Sequence, residues 1–430
     1  MNNRRKFIKN TALCLTGTFI ATKVNGMSGF FKTLGPKPHI IVRSGWQTEN
    51  IGDIAHTPAL MALIEKYIPS ATVTFWPFYD YLPDNEVEML KKRFPKMKLV
   101  RGKLNKDGKS TTVELQQAIS TSDLMIHNSG PATIAWADLE IFNKFTGKPF
   151  GVYGVTYGLY GTPETNILNK ASFVYFRDSV SLEKARVAGV KAPVMDFTPD
   201  AVFAIDVTDD QRAIAFLKEN NLKDGQFLCC IPKQRHTPVW LHPHKNRPID
   251  PIKNQRNEDM KLHDHQPLIE AIIAVIRKTD LKVLITHEDE TEMQIGKDWL
   301  LDKLPTDVKK KVVWRNTAWL TDEAVSIYKR SSGFFGSEMH SPIMCIAQGI
   351  PAIVVRWQEQ SSKGIMWRDI GLGEWLFDFD DEDEVRRFVP TVLKFAKNLK
   401  AAKMKAVAAK KFVDNKQKES FLVVKNTLKK

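Results

Sequence analysis

The stretch GFFGSEMHSPIMCIAQGIPAIVV, Gly333 to Val355, decides the fold. A short apolar run ends in a polar knot, Ser337-Glu338-Met339-His340. SPIMCIAQG then has the spacing of a helix, and IPAIVV is again apolar and β-branched. A strand, a helix and a strand in so few residues make a parallel βαβ unit. A glutamate and a histidine at the end of a buried strand are out of place in such a unit unless they face a site.

The same alternation runs outward in both directions. HIIVRSGW, His39 to Trp46, reads as a first strand. HTPALMALIEKYIP reads as a helix with Thr57 as its cap and Pro58 in its first turn. ATVTFWPF and MKLVRG follow as strands, with VEMLKKRFP as a helix between them. DLMIHNSG, PFGVYGVTYG and ASFVYFRDS continue the series. A second series starts at FLCCIPKQR and runs through HQPLIEAIIAVIRKT, LKVLITHEDE and KKVVWRN to the opening stretch. The expected class is α/β, with two tandem Rossmann-like domains and an interdomain cleft. The expected boundaries are 37–210 and 211–375, with the crossing near 205–225 and a helical tail at 376–430. Ligands of such sheets bind at the carboxyl ends of the strands.

Composition narrows the function. The chain has 430 residues, 43% hydrophobic and 26% charged, which is ordinary for a globular protein of two or three domains. Residues 1–26 carry Arg4-Arg5-Lys6-Phe7-Ile8-Lys9 near their start, a twin-arginine-type export signal. The apolar part, Ala12 to Ala21, is too short to span a bilayer well. The expectation is therefore export to the periplasm, with a retained membrane anchor as the alternative. Removing that segment takes five basic residues and no acids, so the formal charge falls from +14 to +9. The positive balance favours anionic partners. No aromatic residues interleave the basic tail stretch KNLKAAKMKAVAAKK and no nucleic-acid module is present, so nucleic acid is excluded as a partner. No transmembrane helix follows the signal. Cys14, Cys229, Cys230 and Cys345 lie in apolar runs and read as buried thiols. The first strand is not followed by Gly-x-Gly-x-x-Gly, and no phosphate-binding Gly-rich loop with Lys-Ser/Thr occurs. Nicotinamide and P-loop chemistry are disfavoured. No cofactor is assigned.

Four stretches together resemble the polysaccharide pyruvyl transferase family. They are NIGDIAHTPAL (Asn50 to Leu60), SDLMIHNSGPATI (Ser122 to Ile134), VYFRDSVSLEKARVAGV with PDAVFAI (Val174 to Ile205), and the opening stretch. The resemblance covers roughly residues 38 to 360. It implies a glycosyltransferase-B-like fold and transfer of a pyruvyl unit from phosphoenolpyruvate to a sugar hydroxyl. That chemistry needs cations for the donor's carboxylate and phosphate, an acid for its methylene carbon and a base for the hydroxyl.

His340 matches the histidine of the family's Arg-x-His motif. Glu338 stands where the family has a donor-binding arginine, and His127 and Asn128 stand in its glycine-rich turn. Phosphoenolpyruvate as donor is at odds with Glu338 and with export. The expected catalytic residues are His340, Glu338 and His127, with Glu338 pairing His340 across an extended segment to move protons on a sugar. The expected substrate-binding residues are Asp53, Asn128, Arg177, Lys233, Arg235, His236, Trp240 and His287. Arg177 is read either as an anion site or as a surface pair with Asp178. RHTPVWLHPHKNRPIDPIKNQRNEDMKLHDHQP, with its five histidines, reads as a long loop over the cleft that takes an acidic saccharide. Its spacing fits no named metal motif, and no metal is assigned. Glu288 to Glu292 read as solvating a helix start. Two other functions fit the same residues: an exported polysaccharide lyase or hydrolase, and a non-catalytic saccharide-binding protein.

Overall fold

The computed structural model describes residues 37–45, 48–128, 130–360 and 362–429; the expected export segment lies outside them. Seven strands form the first sheet: β1 (His39–Ser44), β2 (Thr72–Pro77), β3 (Lys98–Leu99), β4 (Leu124–Asn128), β5 (Phe150–Val155), β6 (Phe173–Phe176) and β7 (Met195–Phe197), in the order β3-β2-β1-β4-β5-β6-β7. Six form the second: β8 (Phe227–Ile231), β9 (Lys282–Ile285), β10 (Val312–Trp314), β11 (Gly333–Gly336), β12 (Ala352–Arg356) and β13 (Leu376–Asp378), in the order β10-β9-β8-β11-β12-β13. Every pairing is parallel. β5, β8 and β11 are buried along their whole length, because helices cover both faces. Gly336 ends β11 against the backbone of Ile231, where a Cβ would collide with the Ile231 carbonyl.

Each sheet has one place where the strand order reverses. The chain moves outward from β1 to β3 and returns to β4 on the other side of β1; it does the same from β8 to β11. Loops leave these two points in opposite directions and open a crevice at the strands' carboxyl ends. β1, β4, β8 and β11 are therefore the strands that position a site.

Two local expectations differ from the structure. The first helix begins at Ile51, before Thr57, because the Asn50 side chain caps it, accepting from the amides of Gly52 (2.8 Å) and Asp53 (3.1 Å). Pro58 then lies inside the helix. The His-rich stretch is only half loop. A helix spans Pro251–Lys278, started by the Asp250 side chain at the Lys253 amide (3.1 Å) with Pro251 at its first position. His263 and His265 lie on it.

The C-terminal helix Leu399–Thr427 packs on the first sheet. Phe421 is buried with its ring 5.5 Å from those of Tyr67 and Tyr153, and Ser420 Oγ lies 2.9 Å from the Tyr153 hydroxyl. Gln417 donates to the Asp200 carbonyl at 3.2 Å. Among the described residues no helix is long and apolar enough to cross a membrane.

Candidate functional site

The two reversal points face one cavity of about 1220 Å³. Asp53, His56, Arg177, Lys233, Glu338 and His340 all line it. Asp53 and His56 come from the first helix after β1, three residues apart and so on one face. Arg177 follows β6, Lys233 follows β8, and Glu338 and His340 follow β11. Glu288, after β9, and Lys363, after β12, also line it. The segment Asn50–Ile51 is stitched to the second domain: the Ile51 amide donates to the Glu288 carbonyl at 3.0 Å and Thr321 Oγ1 to the Ile51 carbonyl at 2.7 Å.

Four side chains form a buried line across the floor. Asp200 Oδ1 lies 3.1 Å from His56 Nδ1, His56 Nε2 lies 3.0 Å from His340 Nε2, and His340 Nδ1 lies 2.9 Å from Glu288 Oε1. All four are at most 2% exposed. Glu288 also accepts from the Ser341 amide (2.6 Å) and hydroxyl (2.9 Å), so it fixes the start of the helix His340–Ala347. Asn128 donates to the His56 carbonyl at 3.0 Å. Gly52 lies directly against this line, and a Cβ there would collide with His340 and the Glu288 carboxylate. Gly52→Ala is expected to displace His340 and lower activity at least tenfold while the far-ultraviolet spectrum stays native. Unchanged turnover would show that the close approach is not needed.

The expected Glu338–His340 pair is not formed. Met339 has helical dihedrals (φ −108°, ψ −37°), so residues 338 to 340 are not extended and the two side chains part. Glu338 instead pairs with Lys233, whose ammonium also reaches Glu292 at 3.2 Å. Burial raises Glu338 but the Lys233 charge overrides it and holds the carboxyl down at about 2. Burial and then the Glu338 charge push both Glu288 and Glu292 well above the usual carboxylate range. Glu288 and Glu292 are 1% exposed and do not solvate a helix start as expected. Burial and then Lys363 push His340 well below its usual range, and Lys363 Nζ sits 3.4 Å from its Nδ1. Burial, then Arg177, lowers the Lys363 ammonium.

Residues 50–359 match the family described as polysaccharide pyruvyl transferase. The chain belongs to that family. Its fold is also similar to that of Anabaena HepE in complex with UDP, with TM-score 0.55 and 11% identity over 91% of this chain and 100% of the other. A similar fold occurs in the α,α-trehalose 6-phosphate synthase of Burkholderia multivorans, with TM-score 0.54 and 7% identity over 91% and 98% of the two chains. These likenesses show a two-domain, glycosyltransferase-B-like architecture.

The pyruvyl transferase motifs therefore have definite places. Arg177 pairs with Asp200 at 3.2 Å rather than with Asp178, which caps the helix Ser179–Val187 through the Ser181 amide. Arg235 lines the cavity, but Asp264 (2.9 and 3.0 Å), Glu359 and Asp380 engage its guanidinium. His127, Asn128 and His287 lie off the cavity lining. His127 is a buried residue of β4 with Nδ1 at 2.8 Å from the Arg43 carbonyl, and burial lowers it to about 4. His287 lies 5.6 Å ring to ring from Trp319, and burial lowers it to about 3. Sequence reasoning missed His56, Asp200, Glu288 and Lys363. The Asp-x-x-His spacing of Asp53 and His56, just after a strand, was the available signal.

Residues 236–250 form an arm over the cavity, with His236, Trp240 and Arg247 among its lining. The arm's histidines do not converge. His242 Nε2 meets Asp289 Oδ1 at 3.1 Å, His244 pairs with Glu49, and the His236 amide donates to Asn257. The Asp289 hydrogen bond raises His242 above its ordinary 6.5, and despite burial the His242 contact helps hold Asp289 below 3.8. The contact is therefore complete between those ordinary values. It weakens as pH rises through the raised His242 value and as pH falls through the depressed Asp289 value. Protease cleavage of the arm is expected to accelerate above neutral pH, with a flatter profile in His242→Asn. A pH-independent rate would contradict this fastening.

Proposed function

We propose that the protein is a pyruvyl transferase-like enzyme that modifies a hydroxyl of an acidic saccharide held under the arm, with phosphoenolpyruvate as donor. The observation that carries the reading is the position of His340, the family's motif histidine, on the cavity floor with Glu288 fixing its ring. The sugar hydroxyl is activated there. Arg177 and Lys363 supply positive charge beside it for the donor's carboxylate and phosphate. Glu338 is no obstacle of the kind its sequence position suggests, because Lys233 neutralises it within the wall. Trp240, Tyr79 and Tyr81 on the cavity lining offer ring faces to a sugar, and Arg247 and Lys253 offer charge to its acidic groups.

The test is phosphate release from phosphoenolpyruvate with a panel of acidic and neutral saccharides, with the pyruvylated product identified by mass. Release that depends on the saccharide is expected, and its absence across the panel counts against the reading. The twin-arginine-type start supports a second reading, an exported enzyme that cleaves an acidic polysaccharide without a donor. Cell fractionation separates the two, since phosphoenolpyruvate is a cytoplasmic metabolite. Periplasmic protein that yields new reducing ends or unsaturated products would favour the second.

A further inference from the structure

The contact between His56 and His340 brings two ring nitrogens to 3.0 Å on the cavity floor. A neutral imidazole carries one N–H and one lone pair. Along Asp200, His56, His340 and Glu288 there are three close contacts, and those of His56 with His340 and of His340 with Glu288 have hydrogen-bond geometry. If each ring gives its N–H to its carboxylate, the two Nε2 lone pairs face each other at 3.0 Å with nothing between.

A carboxylate on the far nitrogen is the arrangement that orients histidines as metal ligands. Here Glu288 holds the His340 ring by a hydrogen bond, and Asp200 lies 3.1 Å from His56 Nδ1. Asp53 stands one helical turn before His56, and the ligand atoms of Asp53, His56 and His340 all lie within 4.8 Å of one another. We propose that Asp53, His56 and His340 bind one divalent transition-metal ion on the cavity floor. At the usual metal–nitrogen distance of about 2.1 Å, nitrogens 3.0 Å apart subtend about 90° at the ion. That angle suits six-coordinate ions with two histidines and one carboxylate on one face, and the remaining positions open to the cavity. Manganese, iron(II) or cobalt fit it better than tetrahedral zinc. Magnesium and calcium, which take oxygen ligands, fit poorly.

Neighbouring cations oppose the ion, but two of the three are engaged. Asp200 holds Arg177, and Glu338 with Glu292 holds Lys233. Lys363, 3.4 Å from His340 Nδ1, is the competitor. The inference rests on the reading of His340 as the reaction centre, since a hydroxyl bound to such an ion loses its proton more readily.

The experiment is equilibrium dialysis of the full chain, stripped with chelator, against Mn²⁺ and Co²⁺, with metal counted by mass spectrometry and Co²⁺ read by its visible absorption. One ion per chain is expected. His56→Gln, His340→Gln and Asp53→Asn should each weaken binding at least tenfold, and Lys363→Met should tighten it. His263→Ala, on the long helix, should leave it unchanged. Circular dichroism of each variant separates loss of the site from loss of the fold. No bound ion, or binding unaltered in the His56 and His340 variants, would overturn the proposal and leave the two rings joined by an ordinary hydrogen bond. Binding is read without donor or saccharide, so failure here is distinct from failure of pyruvyl transfer.

Discussion

His340→Ala is expected to lower turnover by at least about a hundredfold, the usual scale for removing a positioned proton-handling or activating group. The ring is 2% exposed and touches Glu288, His56 and Lys363 at once. Its removal takes one contact from the Glu288 carboxyl, which keeps Ser341, and the His340 contact from His56 Nε2. A loss of stability of about 1–3 kcal/mol should accompany the kinetic effect. His340→Gln keeps more of the volume and should recover stability but not turnover. A variant with full activity would remove His340 from the reaction.

Lys233→Met is expected to have the largest effect on stability. The Lys233 side chain is largely buried, and its ammonium sits between the buried carboxyls of Glu292 and Glu338. Breaking a buried pair from one side typically costs about 3–5 kcal/mol, because the remaining charge stays buried. The double variant Lys233→Met/Glu338→Gln should regain a large part of that loss, since the unpaired carboxylate is gone. Urea unfolding of the two variants and the parent measures both quantities. A single variant within about 0.5 kcal/mol of the parent would mean that the wall does not need Lys233's charge.

The sheets were legible in the sequence because buried parallel strands are short apolar runs separated by helical spacing, as in Gly333 to Val355. A common cleft at the strands' carboxyl ends followed from that alternation, and with it Lys233, Glu338 and His340 at strand ends, while the strand order and its reversal points came from the structure. Partners were not legible. His340 meets Glu288 across 52 residues and His56 across 284, and Lys233 meets Glu338 across 105. No local spacing encodes such contacts. Glu338 and His340 looked paired because extended backbone was assumed, and the helical turn at Met339 separates them. Glu288 and Glu292 looked like solvated acids, yet both are buried, Glu292 against Lys233 and Glu288 against His340 and Ser341. The five histidines of 236–265 drew attention by composition, while the histidine that meets His340 came from the first helix.

The most direct test is thermal unfolding of the full chain with and without phosphoenolpyruvate. A ligand at a hundred times its dissociation constant adds about 2.7 kcal/mol to stability. A clear rise is expected, reduced in Lys363→Met and in Arg177→Gln. No rise at millimolar phosphoenolpyruvate would contradict a donor site beside His340.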